Sequence, residues 1–499
     1  MPDQVELITY CDRLGGSLPG LKQVLDGPLA GLFGGVHILP FYRPHDGADA
    51  GFDPADHTEV DPRLGSWADI REIAADYPVT ADLIVNHVSS ASPQFQDWLR
   101  HGPDSPYDGM FLTFGSAFPK GATESELMML TRPRPGLPFT VYEQADGTKH
   151  LVWTTFTEEQ IDIDVRAPLT LQYLQRVLDL LAGSSVKRVR LDAVGYAVKS
   201  PGLTSFMTEE TFAFIHQVSD WCAARGLDVI VEVHSYFQRQ VEIAAQVDKV
   251  YDFALPPLVL HALTAGDVAP LLHWFTVRPT NAVTVLDTHD GIGVIDVAED
   301  GHDPGNPGLL SNAQITTLIE AIHRNSGETS LFASGGAASN VDIYQVNSTF
   351  YDALGADDGK YLLARAIQFF TPGTPQVYYV GLLAGHNDVA LLTRTNIGRD
   401  VNRHSYTRHE IAAALNAPVV RALCALIRIR NSHPAFDGDF TADGSGSSIT
   451  MSWSAGEDRV DLVGDTATGA ATIAWTSPDG EHTSPLLALA DSRPLLPVV

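Results

Sequence analysis

The strongest constraint on this chain is a series of eight short β-branched runs, each ending in polar or charged residues. They are Val5–Tyr10, Gly35–Phe41, Ala81–Val88, Lys187–Val194, Asp228–His234, Lys249–Leu255, Ala282–Asp290 and Pro375–Val380. Near-continuous apolar runs predict strands covered on both faces, the pattern of a parallel sheet. Between several of them the spacing predicts helices. Pro168 opens one in which Leu171, Leu174, Val177, Leu178 and Leu181 share a face, with Gly183 as its stop. Thr208 reads as the N-cap of another, with Glu209 and Glu210 in the first turn and Gly226 past the end. Strands and helices alternating in this number predict an α/β chain, a (β/α)8 TIM barrel.

Two connections are too long for a simple barrel. The segment after the third strand contains Phe139–Phe156, where Asp146-Gly147 sits between two alternating runs and predicts a hairpin. We assign 87–166 to an inserted β-rich subdomain. The segment 291–356, after the seventh strand, is rich in Gly, Asn and Ser and is expected to be loop-rich and to lie over the barrel mouth. The barrel then comprises 1–86, 167–290 and 357–435, closed by a helix at Val419–Arg430. From 436 to 499 the pattern changes to short alternating strands, with Ser448–Trp453 as one of them and a turn at Asp479-Gly480, predicting a small C-terminal antiparallel β domain.

Composition removes several partner classes. A net charge of −29 over 499 residues argues against nucleic acid or an anionic membrane surface, both of which need a basic face. No run of apolar residues is long enough for a membrane span, and the first sixteen residues lack the basic-then-apolar pattern of a secretory signal. Cys11, Cys222 and Cys424 make no metal or redox spacing and fit free thiols in a reducing cytoplasm. Cys222 follows Phe212, Ile215 and Val218 at helical spacing, so it reads as a core residue.

Barrels of this type carry their chemistry at the C-terminal strand ends. Here those ends hold Asn86-His87, Arg190-Leu191-Asp192, Glu232-Val233-His234 and Asp287-Thr288-His289-Asp290. Apolar strands rarely carry such groups unless these are paired or functional. Taken alone, Asp192 reads equally well as half of a buried ion pair with Arg190, and Glu232 as a stray strand-end carboxylate. Four strand ends converging on one mouth change that balance. Two carboxylates on neighbouring strands suit retaining glycoside chemistry, in which one attacks the anomeric carbon and the other protonates the leaving oxygen. Arg190 and Asp192 are two apart and share a strand face, so the cation is expected to keep Asp192 charged as a nucleophile. Glu232, with no cation adjacent in its own strand, is the better proton donor.

These residues resemble motifs of the α-amylase superfamily (glycoside hydrolase family 13): Asp53–His57, Asp82–His87, Arg190–Ala193, Glu232 and Asp287–Asp290 occur in its order. Within it the chain is most similar to the sucrose phosphorylases, through Gly51–Pro54, Arg132–Phe139, Arg190–Tyr196, Glu232–Tyr236, Tyr251–Pro257, Asn281–Ile295, Asp342–Asn347 and Gly398–His404, thinning after Gly438. The resemblance implies that Asp192 is the nucleophile, Glu232 the general acid/base and Asp290 the transition-state stabiliser. It implies that Asp49, His87, Arg190, His289 and Arg399 hold a glucosyl unit, with Phe52 and Tyr196 as its apolar faces. On the acceptor side it implies phosphate recognition by Arg134, Tyr344 and His234, and fructosyl contacts from Asp342 and Gln345. The segment Arg132-Pro133-Arg134-Pro135 would supply a stiff cationic fork in an otherwise acidic protein. The bland alternatives are a turn-stabilising Arg134, a structural Asp49–Arg399 salt bridge, core histidines, and core aromatics at Phe52 and Tyr196.

The expected activity is retaining phosphorolysis of sucrose, giving α-glucose 1-phosphate and fructose, with sucrose and inorganic phosphate as small-molecule partners. Runners-up are a phosphorylase of sucrose 6'-phosphate or of another α-glucoside such as glucosylglycerate, and a hydrolase or transglucosidase that differs only in what attacks the intermediate. A catalytically silent interaction protein resembling transporter heavy chains is disfavoured, because the catalytic carboxylates are present and a membrane span is not. Asn86 occupies a position that binds calcium in many α-amylases, whereas the sucrose phosphorylases are expected to lack that ion. No metal and no cofactor are therefore expected. Some members of the family pair as homodimers, and the sequence carries no interface signature either way.

Overall fold

The structure, a computed structural model, describes residues 3–47, 49–133, 136–301, 303, 305–334 and 345–491. Eight parallel strands close into a barrel: β1 (Glu6–Thr9), β2 (Gly35–Ile38), β3 (Val79–Ile84), β4 (Arg188–Asp192), β5 (Asp228–Val231), β6 (Lys249–Asp252), β7 (Ala282–Thr284) and β8 (Thr374–Tyr378), in chain order around the ring. Six fall within a predicted apolar run, and β3 and β8 begin two residues and one residue before theirs. The runs read longer than the strands because their polar ends have already left the sheet to form the mouth. Strands such as β3 and β8 are buried along their whole length, since helices cover them outside and side chains fill them inside.

The covering helices form as their periodicity predicts. Pro168–Gly183 buries Leu174, Val177, Leu178 and Leu181, and Gly183 is its last residue. Thr208 caps Glu209–Ala223 by accepting from the Thr211 amide, and Gly226 follows at φ +71°. Cys11, Cys222 and Cys424 are buried and unpaired. Among the described residues no single helix is long and apolar enough to cross a membrane; the bent pair Arg408–Leu415 and Pro418–Ser432, at 78°, passes by length and composition only.

After β3 the chain leaves the barrel. A two-stranded ribbon, Phe139–Glu143 with Lys149–Trp153, turns through Gly147 at φ +87°. A second pairing, His87–Ser89 with Gln160–Asp162, ties the inserted segment to the mouth. The segment after β7, expected to be loop-rich, also carries the helix Asn312–Asn325 and a short ribbon, Ile292–Gly293 with Gln345–Val346. Its capping box at Ser311 and Gln314 is the start signal that its Gly- and Asn-rich surroundings obscure. At the C-terminal end, β9 (Asp439–Ser445), β10 (Ser448–Ala455), β11 (Asp458–Asp465), β12 (Ala471–Ser477) and β13 (Gly480–Pro485) form one antiparallel sheet. Its apolar face packs on the barrel, where the Trp453 indole donates to the Phe370 carbonyl at 2.7 Å.

Candidate active site

Register builds the centre of the mouth. Arg190 on β4 lies directly opposite Asp82 on β3, and Leu191 opposite Val231 on β5. Asp192 and Glu232, one residue further along, therefore stand side by side as both strands end. The Arg190 guanidinium is 3% exposed, donates to Asp82 at 2.6 Å and to Asp192 at 2.8 Å, and its other terminal nitrogen lies 3.9 Å from Glu232. Asp82 also meets His37 at 3.0 Å, and His37 and Arg190 together outweigh burial to hold its carboxyl at about 2.

A backbone kink completes the pair. Ala193 adopts φ +52°, ψ +21°, a left-handed conformation that costs an alanine about 1 kcal/mol or more. The kink turns its amide toward β5, where it donates to Glu232 Oε2 at 3.1 Å. Strain at this one residue thus fixes the carboxylate beside Asp192.

The charge on Asp192 is less simple than the two-residue spacing implies. Burial pushes its pKa well above the ordinary carboxylate value, Arg190 pulls it down, and Glu232, Asp82 and Asp290 push it up again. The net direction is upward, because burial and the neighbouring carboxylates outweigh Arg190, which Asp82 shares. Glu232, read as having no cation adjacent in its own strand, has Arg190 of the neighbouring strand 3.9 Å away and a His234 nitrogen at 3.7 Å. The proton held by such a cluster belongs to the group of carboxylates as a whole.

Asp290, from the loop after β7, is the opposite case. Burial raises it, but Arg399 at 2.8 Å, with His289, Arg403 and Arg190, holds it well below the usual carboxylate range. Arg399 also approaches Asp49 and Gln345 at 3.5 Å, so the Asp49–Arg399 pair exists and lies at the mouth. Gln345 Oε1 in turn accepts from the Gly291 amide at 3.1 Å.

The histidines are differentiated by their surroundings. Burial takes His289 down to about 3, so it is neutral; its ring stacks on Phe52 with centroids 4.5 Å apart, and its Nδ1 has no hydrogen-bond partner among the described residues. His87 is likewise lowered by burial and is held by the Phe52 carbonyl at 2.8 Å and Gln160 at 3.0 Å. Burial also pushes His234 down, but Asp296 at 2.8 Å outweighs it, with Glu232 and Asp290 adding to the effect, and raises the ring to about 9. Tyr196 packs on Phe156 and Phe206, and Phe156 also meets the His87 ring, so an aromatic wall lines this side of the mouth.

The structure therefore brings together Asp49, Phe52, His87, Arg190, Asp192, Tyr196, Glu232, His234, His289, Asp290, Gln345 and Arg399. Arg134, Asp342 and Tyr344 lie outside the described residues. Sequence reasoning missed Arg403, whose Nε donates to the His289 carbonyl at 2.9 Å and which faces Asp49 at 3.5 Å. It also missed Phe156, Phe253 and Asp296. Arg403 stood in the Gly398–His404 stretch, but nothing distinguished it there from a surface arginine.

The calcium question has a local answer. The Lys199 ammonium, 2% exposed, sits 2.7 Å from Asn86 Oδ1 and 2.7 Å from Asp162 Oδ2, and also bonds the Tyr196 carbonyl. A fixed cation already fills the space that Asn86 faces, so these residues do not fit a divalent ion. Glu232, His234 and Asp290 also present oxygens and a nitrogen within 4.8 Å of one another, but His234 directs its Nδ1 at Asp296 and is held protonated, which leaves it a poor ligand.

A parallel eight-stranded barrel whose strand ends carry Arg-x-Asp, a glutamate and a His-Asp pair defines a protein of the α-amylase class. The family model described as "Alpha amylase, catalytic domain" matches residues 12–250. A sucrose phosphorylase from Agrobacterium vitis is 54% identical over 476 residues, covering 95% of this chain and 97% of that protein. One from Bifidobacterium adolescentis is 51% identical over 495 residues, covering 97% and 98%. The crystal structure of a sucrose 6F-phosphate phosphorylase from Thermoanaerobacter thermosaccharolyticum superposes with a TM-score of 0.88 at 36% identity, over 97% of this chain and 99% of that one. The chain belongs to the sucrose phosphorylase family of α-amylase-type barrels.

Proposed function

We propose that this protein is a retaining glucoside phosphorylase that converts sucrose and inorganic phosphate to α-D-glucose 1-phosphate and D-fructose. The observation that carries the reading is the Asp192–Glu232–Asp290 cluster at the mouth of a chain that is 54% and 51% identical to two relatives named sucrose phosphorylase.

In the first step an Asp192 oxygen attacks the anomeric carbon, the glycosidic C–O bond breaks, and Glu232 gives its proton to the departing fructosyl oxygen. Arg190 holds Asp192 in line, and the Ala193 amide holds Glu232. In the second step a phosphate oxygen attacks the same carbon, the aspartyl ester C–O bond breaks, and Glu232 takes up the proton that phosphate gives up. Two inversions give retention. Asp290, kept ionised by Arg399, supports the positive charge that develops on the sugar ring in both steps. Asp49, His87, His289 and Arg399 grip the glucosyl hydroxyls, and Phe52 and Tyr196 flank the ring. Arg134, Tyr344 and His234 receive phosphate, and Asp342 and Gln345 the fructosyl unit. Three unpaired thiols accord with a cytoplasmic location.

The test offers purified protein sucrose with and without phosphate. Glucose 1-phosphate formed only when both are present supports the reading, and free glucose at equal rates in both tubes rejects it. Sucrose 6'-phosphate run in parallel distinguishes the neighbouring donor specificity.

A further inference from the structure

We infer that Asp296 is a positioning residue of the acceptor site, acting through His234 to hold the ring with its Nε2–H toward Glu232, where the incoming phosphate must arrive. The inference rests on the phosphorylase reading above and assigns a part to a carboxylate outside the catalytic cluster.

Asp296 lies in a helical turn, Ile295–Val297, immediately after the ribbon strand Ile292–Gly293, and is fully buried. Three donors converge on its side chain. His234 Nδ1 lies 2.8 Å from Oδ2, while the Ser235 amide at 3.1 Å and the Gln240 side-chain amide both meet Oδ1. A carboxylate accepts only, so the hydrogen of Nδ1 points at Asp296 and Nε2 is left to face the mouth. Nε2 is 3.7 Å from Glu232 Oε1.

The ring has little freedom. It stacks on Phe253 with centroids 3.9 Å apart and planes at 16°. On the other side runs the backbone of Gly293, where a Cβ would stand 2.5 Å from Asp296 Oδ2 and 3.2 Å from His234 Nδ1. Glycine at this position is therefore what lets the ribbon close on the pair.

The electrostatic consequence follows from what surrounds the ring. Its own segment contributes Glu232, the loop after β7 contributes Asp290, and the turn contributes Asp296; the Phe253 side is apolar, and Arg190, 3.9 Å from Glu232, is committed to Asp82 and Asp192. A phosphate dianion entering here meets carboxylates. A ring held protonated by Asp296 puts one positive donor on its path, and without that partner only Glu232 and Asp290 would oppose burial, so the ring would lose its proton at lower pH.

The experiment compares wild type with Asp296→Asn, measuring kcat/KM for phosphate and, separately, sucrose hydrolysis without phosphate. A drop of about tenfold or more in kcat/KM for phosphate, carried mainly by KM, with hydrolysis changed by less than about threefold, is the expected split. The pH profile is a second readout, and taking the variant-to-wild-type ratio at each pH cancels the ionisation of phosphate itself. The ratio should be smallest between about pH 7 and 8.5, where only the wild-type ring is charged, and should recover above pH 9, where neither is. Equal losses in phosphorolysis and hydrolysis, or a pH-independent ratio, would overturn the inference. Should Asp296→Asn fail to fold, Gln240→Leu, which loosens Asp296 without touching His234, must show the same split in weaker form, and its absence counts equally against the inference. A wild type that forms no glucose 1-phosphate defeats the phosphorylase reading instead.

Discussion

Replacing Lys199 by methionine keeps most of the side-chain volume and removes one buried charge. Three acceptors lose their donor: Asn86 Oδ1 and Asp162 Oδ2, each at 2.7 Å, and the Tyr196 carbonyl. Asn86 and Tyr196 can turn to other partners, but Asp162 is fully buried and keeps its charge without its cation. Removing one member of a buried pair costs ~3–5 kcal/mol. Asp162 retains the Thr155 amide at 2.9 Å and the Thr155 hydroxyl at 2.5 Å, which places the expected loss near the lower end, ~3 kcal/mol. In the double variant Lys199→Met/Asp162→Asn both charges are gone, so the loss should shrink to ~1–2 kcal/mol. The assay is urea unfolding followed by tryptophan fluorescence for wild type, both single variants and the double. A Lys199→Met protein within 1 kcal/mol of wild type, or a double variant that loses the sum of the singles, would refute the account of Lys199 as the internal cation of this mouth.

Asp192→Asn should lower phosphorolysis by at least about 10³-fold, and quenched protein given sucrose without phosphate should carry a hexosyl adduct on the peptide spanning Asp192 in wild type only. Ala193→Val puts a β-branched side chain at φ +52°, costing about 1–2 kcal/mol and displacing the amide that holds Glu232, so kcat should fall while binding of sucrose changes little. Arg399→Met removes the nearest cation from a carboxylate held well below its ordinary range. Asp290 is then ionised only at higher pH, and the acid limb of kcat/KM should move upward, whereas loss of activity without such a shift would count against this role. EDTA should leave activity unchanged, because an ammonium group already occupies the space Asn86 faces; abolished activity would overturn this.

The barrel was legible because its signals are local and repeated: apolar runs of strand length, each ending in a polar cluster, with Pro, Thr and Gly marking the helices between them. Asp192 and Glu232 were legible for the same reason, since strand ends are fixed by the runs that precede them. Legibility failed where structure depends on contacts between distant segments. Arg403 and Asp296 come from loops, and nothing in their immediate neighbours says that one will face Asp49 or the other His234. The surroundings of Asp192 were legible only in part. A two-residue spacing identified Arg190 as its partner but could not reveal that Asp82, 108 residues earlier than the arginine, claims the same guanidinium through cross-strand register.

That sharing explains how a strongly acidic chain keeps a usable mouth. Two arginines of the mouth each answer more than one acceptor: Arg190 faces Asp82, Asp192 and Glu232, and Arg399 faces Asp290, Asp49 and Gln345. Such cations steady the carboxylates but offer little net positive charge to a newcomer, because each is already neutralised. A glucosyl unit is uncharged and needs only hydroxyl partners, so this arrangement accords with the donor subsite proposed above. A phosphate dianion needs a donor turned toward it, and in the proposed reading His234, itself paired with Asp296, turns its second nitrogen toward Glu232. In the proposed reading the donor-side arginines are paired among the carboxylates of the mouth, and the acceptor-side His234 is backed by Asp296 from behind.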